Sequence, residues 1–178
     1  MPQPKKIVVI GPESTGKSTL CEQLADHYKT RWVPEYARQY LMDLSRTYDY
    51  EDLLLIAKGQ LDQEDHITAS RPMAQVFIDT DMFVMKVWCE FVFGKCHRFI
   101  LDQIAIRRYD AYLLCNTDLP WVADPLREYP DLESREVLYR MYRDLLINQT
   151  SPWTEIRGGY EERFRKAVSF VDAILAQE

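Results

Sequence analysis

The sequence predicts an α/β fold with a five-stranded parallel sheet and helices on both faces. Three observations carry that prediction. Short strand-like runs alternate with helical stripes along the chain, the first of those runs, KIVVI, is β-branched and continuously apolar after its lysine as a strand buried on both faces is, and a glycine-bracketed turn separates it from the first helix. At 178 residues the chain holds one well-buried core more comfortably than two, so a single domain over 1–178 is expected.

The elements follow in order. Lys6 to Ile10 (KIVVI) is a strand that ends at Gly11, and from Lys17 the pattern turns helical, with Leu20, Leu24 and Tyr28 on one face. Arg31 to Val33 is a short second strand closed by Pro34, with a helix starting near Glu35 and carrying Tyr36, Tyr40, Leu41 and Leu44. Asp49 is placed to cap a long helix with Leu54, Ala57 and Leu61 on its apolar side. Gln75 to Asp79 is a third strand; an aromatic-rich helix runs from about Thr80 to Phe93, where Gly94 can end it. A helix over Arg98 to Arg107 and a fourth strand over Asp110 to Asn116 come next. A proline-punctuated segment at about 117–133 reads as a lid, followed by a helix capped by Ser134 and striped by Leu138, Met141, Leu145 and Leu146. Trp153 to Arg157 is the fifth strand, Gly158 and Gly159 a turn, and Tyr160, Phe164, Ala167, Val171 and Leu175 mark the last helix.

Composition removes several classes of function. A formal charge of -6 supplies no basic field for nucleic acid, whose binding rests on neutralised phosphates. The four cysteines are scattered without a C-x-x-C pair, as reduced thiols of a cytoplasmic protein are. Cys89, Cys96 and His97 lack the second pair that tetrahedral zinc needs. The most apolar window, DMFVMKVWCEFVFGK, is broken by Lys86 and Glu90 and is shorter than the roughly 20 residues of a bilayer span, so no membrane partner is expected.

The stretch GPESTGKST, Gly11 to Thr19, carries the chemistry. Gly11, Gly16, Lys17 and Ser18 fit G-x-x-x-x-G-K-[ST], in which glycines let successive main-chain N–H groups turn onto phosphate oxygens at a helix's positive end. Glu13, Ser14, Thr15 and Thr19 complete the loop. The fold class sharpens to a P-loop NTPase, with ATP as the nucleotide. Lys17 is expected on the β and γ phosphates and Ser18 on Mg²⁺. Asp79, ending the third strand, is the second metal candidate.

Two carboxylates compete for the role of base. Glu35 lies just beyond the second strand, where an acceptor hydroxyl's proton would be taken, and Asp81 lies two residues past Asp79. Either could instead serve only its helix start. Arg127 in the lid is the candidate for steadying the moving phosphoryl group, and Arg38 for holding substrate or phosphate. Gly158 and Tyr160, after the fifth strand, are placed to admit the adenine ring. A guanine-nucleotide switch would carry N-K-x-D, where this chain reads Asn116-Thr117-Asp118. A ring-forming ATPase would end its metal strand in Asp-Glu, whereas Asp79 is followed by Thr80. A small-molecule kinase, acting on the hydroxyl of some small compound, matches the length and the arginine-bearing lid; an ATP-binding regulator without a small acceptor is the alternative.

The segments GPESTGKSTL, EYARQYL, FIDTD, RYDAYLL, PWVADPLR and GGYEERF together resemble the ribosylnicotinamide kinase domain of the bacterial NadR proteins. The resemblance implies a fold like that of nucleoside and nucleotide kinases and transfer of the ATP γ-phosphate to the 5'-hydroxyl of nicotinamide riboside, giving the mononucleotide of NAD salvage. NadR proteins usually carry the kinase behind an adenylyltransferase domain, and none precedes Gly11, so the expected product is the mononucleotide alone. Where that family commonly has Trp-Glu-Tyr-Gly-Arg, this chain has Pro34-Glu35-Tyr36-Ala37-Arg38, and Pro125 replaces a lid glycine. With the aromatic gone, Trp32, Tyr36 and Trp121 are the rings expected to face the cationic pyridinium.

Overall fold

A computed structural model describes residues 3–176. Its elements are β1 (Lys5–Ile10), α1 (Lys17–His27), β2 (Arg31–Val33), α2 (Tyr36–Asp43), α3 (Tyr50–Ala69), β3 (Gln75–Asp79), α4 (Met82–Phe93), α5 (Arg98–Ile106), β4 (Ala111–Cys115), α6 (Leu132–Ile147), β5 (Trp153–Ile156) and α7 (Tyr160–Leu175). The strands form one parallel sheet in the order β2-β3-β1-β4-β5. Ile7 to Ile10, Val76 to Ile78 and Ala111 to Cys115 are buried residue after residue, as a sheet covered on both faces requires.

One face of the sheet, through Ile7, Val9, Phe77 and Leu113, packs on Leu20 and Leu24 of α1 and on Ala167, Val171 and Ile174 of α7. The other, through Val8, Ile10, Ile78 and Leu114, packs on Val84 and Val87 of α4 and Leu138, Tyr142 and Leu146 of α6. A third cluster gathers Ala37, Leu53, Ile56, Leu61, Met82, Met85, Cys89 and Ile100 from α2 to α5. Helix α4 contributes to both of the last two clusters, which is why it is apolar nearly all round.

Three local expectations change. Helix α4 starts at Met82 because Thr80 takes a left-handed φ of 70° and Asp81 becomes the N-cap, its carboxylate accepting from Phe83 N at 2.9 Å. Helix α6 is capped by Asp131, which accepts from the Ser134 N–H; Ser134 is the donor and not the cap. In α3, Asp49 caps as expected, yet the buried stripe runs through Leu53, Ile56 and Leu61, with Leu54 at its flank. Packing against α2 and α4 sets that rotation.

With β1 central, β3 and β4 on either side and β2 beyond β3, the carboxyl ends of β1, β2 and β3 open on one edge. Gly11, Pro34 and Asp79 lie there, at the crevice where open α/β sheets bind ligands.

Candidate active site

The loop between β1 and α1 forms one wall of a cleft of about 330 Å³, to which Gly11 and Glu13 to Thr19 all contribute. Gly11 has φ 149°, and a Cβ there would lie 2.7 Å from the Cys115 carbonyl oxygen. The loop therefore approaches the end of β4 only as glycine. The buried Thr15 hydroxyl donates to the Pro12 carbonyl at 2.7 Å, and Lys17 Nζ donates to the same oxygen at 2.9 Å. The ammonium thus lies against its own loop, which lines the cleft at the start of α1.

Ser18 Oγ donates to Asp79 Oδ2 at 2.5 Å. Asp79 is fully buried, and its Oδ1 has no hydrogen-bond partner among the described residues. Burial, then the charge of Glu35, pushes its carboxyl up to about 7, against the pull of Lys17 and the Ser18 hydrogen bond. A hydroxyl beside a carboxylate with an unsatisfied oxygen suits a hard divalent cation such as Mg²⁺, which asks few ligands of the protein when phosphate oxygens and water supply the rest. Among the described residues no group of three His, Cys, Asp or Glu could hold a metal by itself.

Glu35 and Arg38 face the same cleft from α2. Glu35 is the N-cap residue, but its side chain makes no capping hydrogen bond, which leaves the carboxylate to the cleft. Arg38 Nη2 pairs with Asp124 Oδ2 of the lid at 2.8 Å. Tyr36, expected beside them, turns away: its ring lies over Gly59 of α3, and its N–H donates to Gln60 Oε1 at 2.8 Å.

Asp81 is also turned away from the phosphate loop. It is 2 % exposed and accepts from Tyr112 Oη at 3.0 Å in addition to Phe83 N, and it borders a separate cavity with Arg107, Tyr109 and Tyr112. The helix start has claimed its carboxylate.

The segment read as a lid lines the cleft with Leu126, Arg127, Glu128 and Tyr129. Arg127 Nη1 donates to the Val122 carbonyl and to Ser14 Oγ, the latter at 3.3 Å. Trp121 lies outside the cleft lining, near two guanidinium groups, with Arg135 at 5.5 Å and Arg127 at 5.9 Å from its ring centre. Arg135 is 3 % exposed, donates to the Ser14 carbonyl at 3.3 Å and leaves its Nε unpaired among the described residues.

At the other flank, Gly158 N donates to Asp118 Oδ2 at 2.7 Å, and the half-exposed Tyr160 lies beside Gly16. Behind both stands Arg163, 3 % exposed. Its Nε donates to Gly158 O at 2.7 Å, Nη1 to Thr15 O at 2.7 Å and Nη2 to Asn116 O at 2.9 Å, with Asp118 as its ion-pair partner. One side chain thereby ties together the loops after β1, β4 and β5.

Sequence reasoning missed Arg163 and most of the acceptor wall. Val84, Trp88 and Phe91 of α4 line the cleft together with Trp32, Tyr129 and Tyr142. The spacing i, i+4, i+7 on α4 was the available sign. It was hidden because α4 is apolar on its core faces as well.

A family profile described as AAA domain, AAA_28, matches residues 6–163, and the chain belongs to that family. The chain also resembles the trifunctional NAD biosynthesis/regulator protein NadR of Salmonella typhimurium, at 27% identity over 179 residues that cover 98% of this chain and 43% of the relative. The chain thus spans less than half the length of the curated relatives it matches. A crystal structure of NadR in complex with NR superposes with a TM-score of 0.76 at 24% identity, covering 98% of this chain and 50% of that one. Thymidylate kinase from Ehrlichia chaffeensis has a TM-score of 0.66 at 14% identity over 96% of this chain and all of its own length (100%). These likenesses establish the fold expected from the sequence, a P-loop sheet built like that of nucleotide kinases.

Proposed function

We propose that the chain is a single P-loop kinase domain that uses ATP and Mg²⁺ to phosphorylate the 5'-hydroxyl of nicotinamide riboside, a cytoplasmic step of NAD salvage that yields the mononucleotide. The observation that carries this reading is one cleft in which the phosphate loop, an uncommitted carboxylate, a lid arginine and a wall of aromatic rings converge. The likeness to NadR supports the substrate.

In this reading the loop amides and Lys17 hold the β and γ phosphates in line with the acceptor. Ser18 and Asp79 hold the metal, which neutralises charge on the phosphate oxygens when bound. Glu35 accepts the proton of the attacking hydroxyl, since Asp81 is occupied at its helix start. Arg127, at the cleft mouth, balances charge on the equatorial oxygens, and the lid keeps water from competing. Trp32, Trp88, Phe91 and Tyr129 supply the π-faces for a flat cationic ring, in place of Tyr36 and Trp121, which do not line the cleft.

Pro34 favours a second reading. It lines the cleft where the resembling family commonly has tryptophan, and a smaller wall there would suit another nucleoside. The deciding experiment is ADP release with ATP and Mg²⁺ against a nucleoside panel that includes nicotinamide riboside, with the product identified by mass. The mononucleotide as the preferred product is the expected result. Preference for a neutral nucleoside would replace the substrate, and no turnover with any acceptor would end the kinase reading.

A further inference from the structure

Residues 117–131 contain no helix or strand, so the main-chain N–H groups of the lid find acceptors one by one; within the lid Asp124 accepts from Leu126 N and Arg127 N at 3.0 Å each. Two successive side chains of the phosphate loop accept from three more. Ser14 Oγ accepts from Val122 N at 2.9 Å and from Arg127 Nη1 at 3.3 Å. Glu13 Oε2 accepts from Glu128 N at 2.9 Å and from Tyr129 N at 3.1 Å, the two donors that directly follow Arg127. The other side-chain ties of the lid lie elsewhere along it: Asp118 pairs with the buried Arg163 and accepts from Gly158 N, the half-exposed Arg38 pairs with Asp124, and Tyr48 donates to Glu128 at the surface; none of these reaches the main chain beside Arg127.

A carboxylate in a loop shaped to receive polyphosphate is electrostatically unfavourable, and burial raises the cost. The placement makes sense when the carboxylate is consumed by donors of its own. We propose that Glu13 is a positioning residue for Arg127: by accepting the N–H groups of Glu128 and Tyr129 it latches the lid to the phosphate loop and sets Arg127 at the cleft mouth. The proposal rests on the kinase reading for its effect on turnover; the latch itself does not.

The test compares wild type, Glu13→Ala, Glu13→Asp and Glu13→Gln as full chains of comparable melting temperature. Hydrogen exchange is followed first, without nucleotide. In Glu13→Ala, peptides covering 118–131 should exchange about tenfold faster or more while those of β1 and β4 do not change. Glu13→Asp keeps the charge but shortens the reach, and should behave like alanine. Glu13→Gln keeps an amide oxygen as acceptor and should restore protection. In turnover assays, loss of the latch should lower kcat by about 10- to 100-fold, as misplacing a catalytic group does, with KM for ATP within about threefold of wild type. Glutamine should recover most of the lost kcat.

Unchanged exchange in the alanine and aspartate variants would overturn the latch. A glutamine variant with a protected lid but alanine-like kcat would overturn it too, by showing that the charge acts on a substrate. A wild-type chain inactive on every acceptor would remove the kinase reading, and the nucleotide-free exchange comparison would still decide the latch.

Discussion

Glu35 occupies the N-cap position of α2 without using its carboxylate there, whereas Asp81 uses one oxygen at the start of α4 and the other on Tyr112 of β4. Two acids that look equivalent in sequence are thereby sorted into a free group and a structural one. Glu35→Gln should lower kcat by about 10²-fold or more while leaving ATP affinity nearly unchanged, measured by single-turnover kinetics and calorimetry. An unaltered rate would move the base elsewhere. Trp88 belongs to the aromatic wall, with its indole N–H donated to Tyr48 Oη at 3.1 Å. Trp88→Ala should raise KM for nicotinamide riboside by roughly tenfold, within the range of a cation–π contact plus lost area, and leave KM for ATP in place. A parallel rise in both would point to general loosening of the cleft.

At the scale of elements, the acceptor side of the cleft depends on how α2 seats on α3. Gly59, in the middle of α3, faces the Tyr36 ring so closely that an added Cβ would lie 2.1 Å from it. Glycine to alanine in a helix ordinarily stabilises by about 0.5–1 kcal/mol. Gly59→Ala should do the opposite, costing about 1–3 kcal/mol by denaturant unfolding, because the overpacked ring must move and α2 with it. The start of α3 supplies a pH test. Asp52, at the third helical position, accepts from Arg46, from Tyr40 Oη and from Asp49 N, which together hold its carboxyl well below the usual carboxylate range despite burial. A depressed folded-state value means stability that is present above the unfolded value of about 4 and is lost as pH falls toward the folded one. Asp52→Asn should therefore be less stable than wild type at pH 7 by about 2–3 kcal/mol, with the difference closing only below about pH 4. A gap that closed near neutrality would assign the effect to another group.

At the scale of the molecule, the nucleotide side is braced through Arg163, which joins the loops after three strands by hydrogen bonds to Thr15, Asn116 and Gly158. Arg163→Ala should lower the melting temperature and raise KM for ATP severalfold, because three carbonyls, two of them buried, lose their donor together; Arg163→Lys should recover only part, since an ammonium cannot span the same fork. Full recovery by lysine would reduce the brace to a point charge. The sequence by itself determined the alternating fold, the phosphate loop and the strand ends that border the cleft, since buried strands, the glycine-lysine turn and proline or acid punctuation are local features readable from neighbours. It also placed Ser18 at the start of the first helix and Asp79 at the end of the third strand, which the sheet order brings together as a 2.5 Å hydrogen bond. Only the tertiary structure decided that Tyr36 and Trp121 leave the cleft while Trp88 and Phe91 enter it, that Asp81 serves Tyr112, and that Glu13 fastens the lid. The physical reason is that the rotation of a helix about its axis, and the partner a buried polar group finds, are set by packing against residues far away in the chain, which no local pattern encodes.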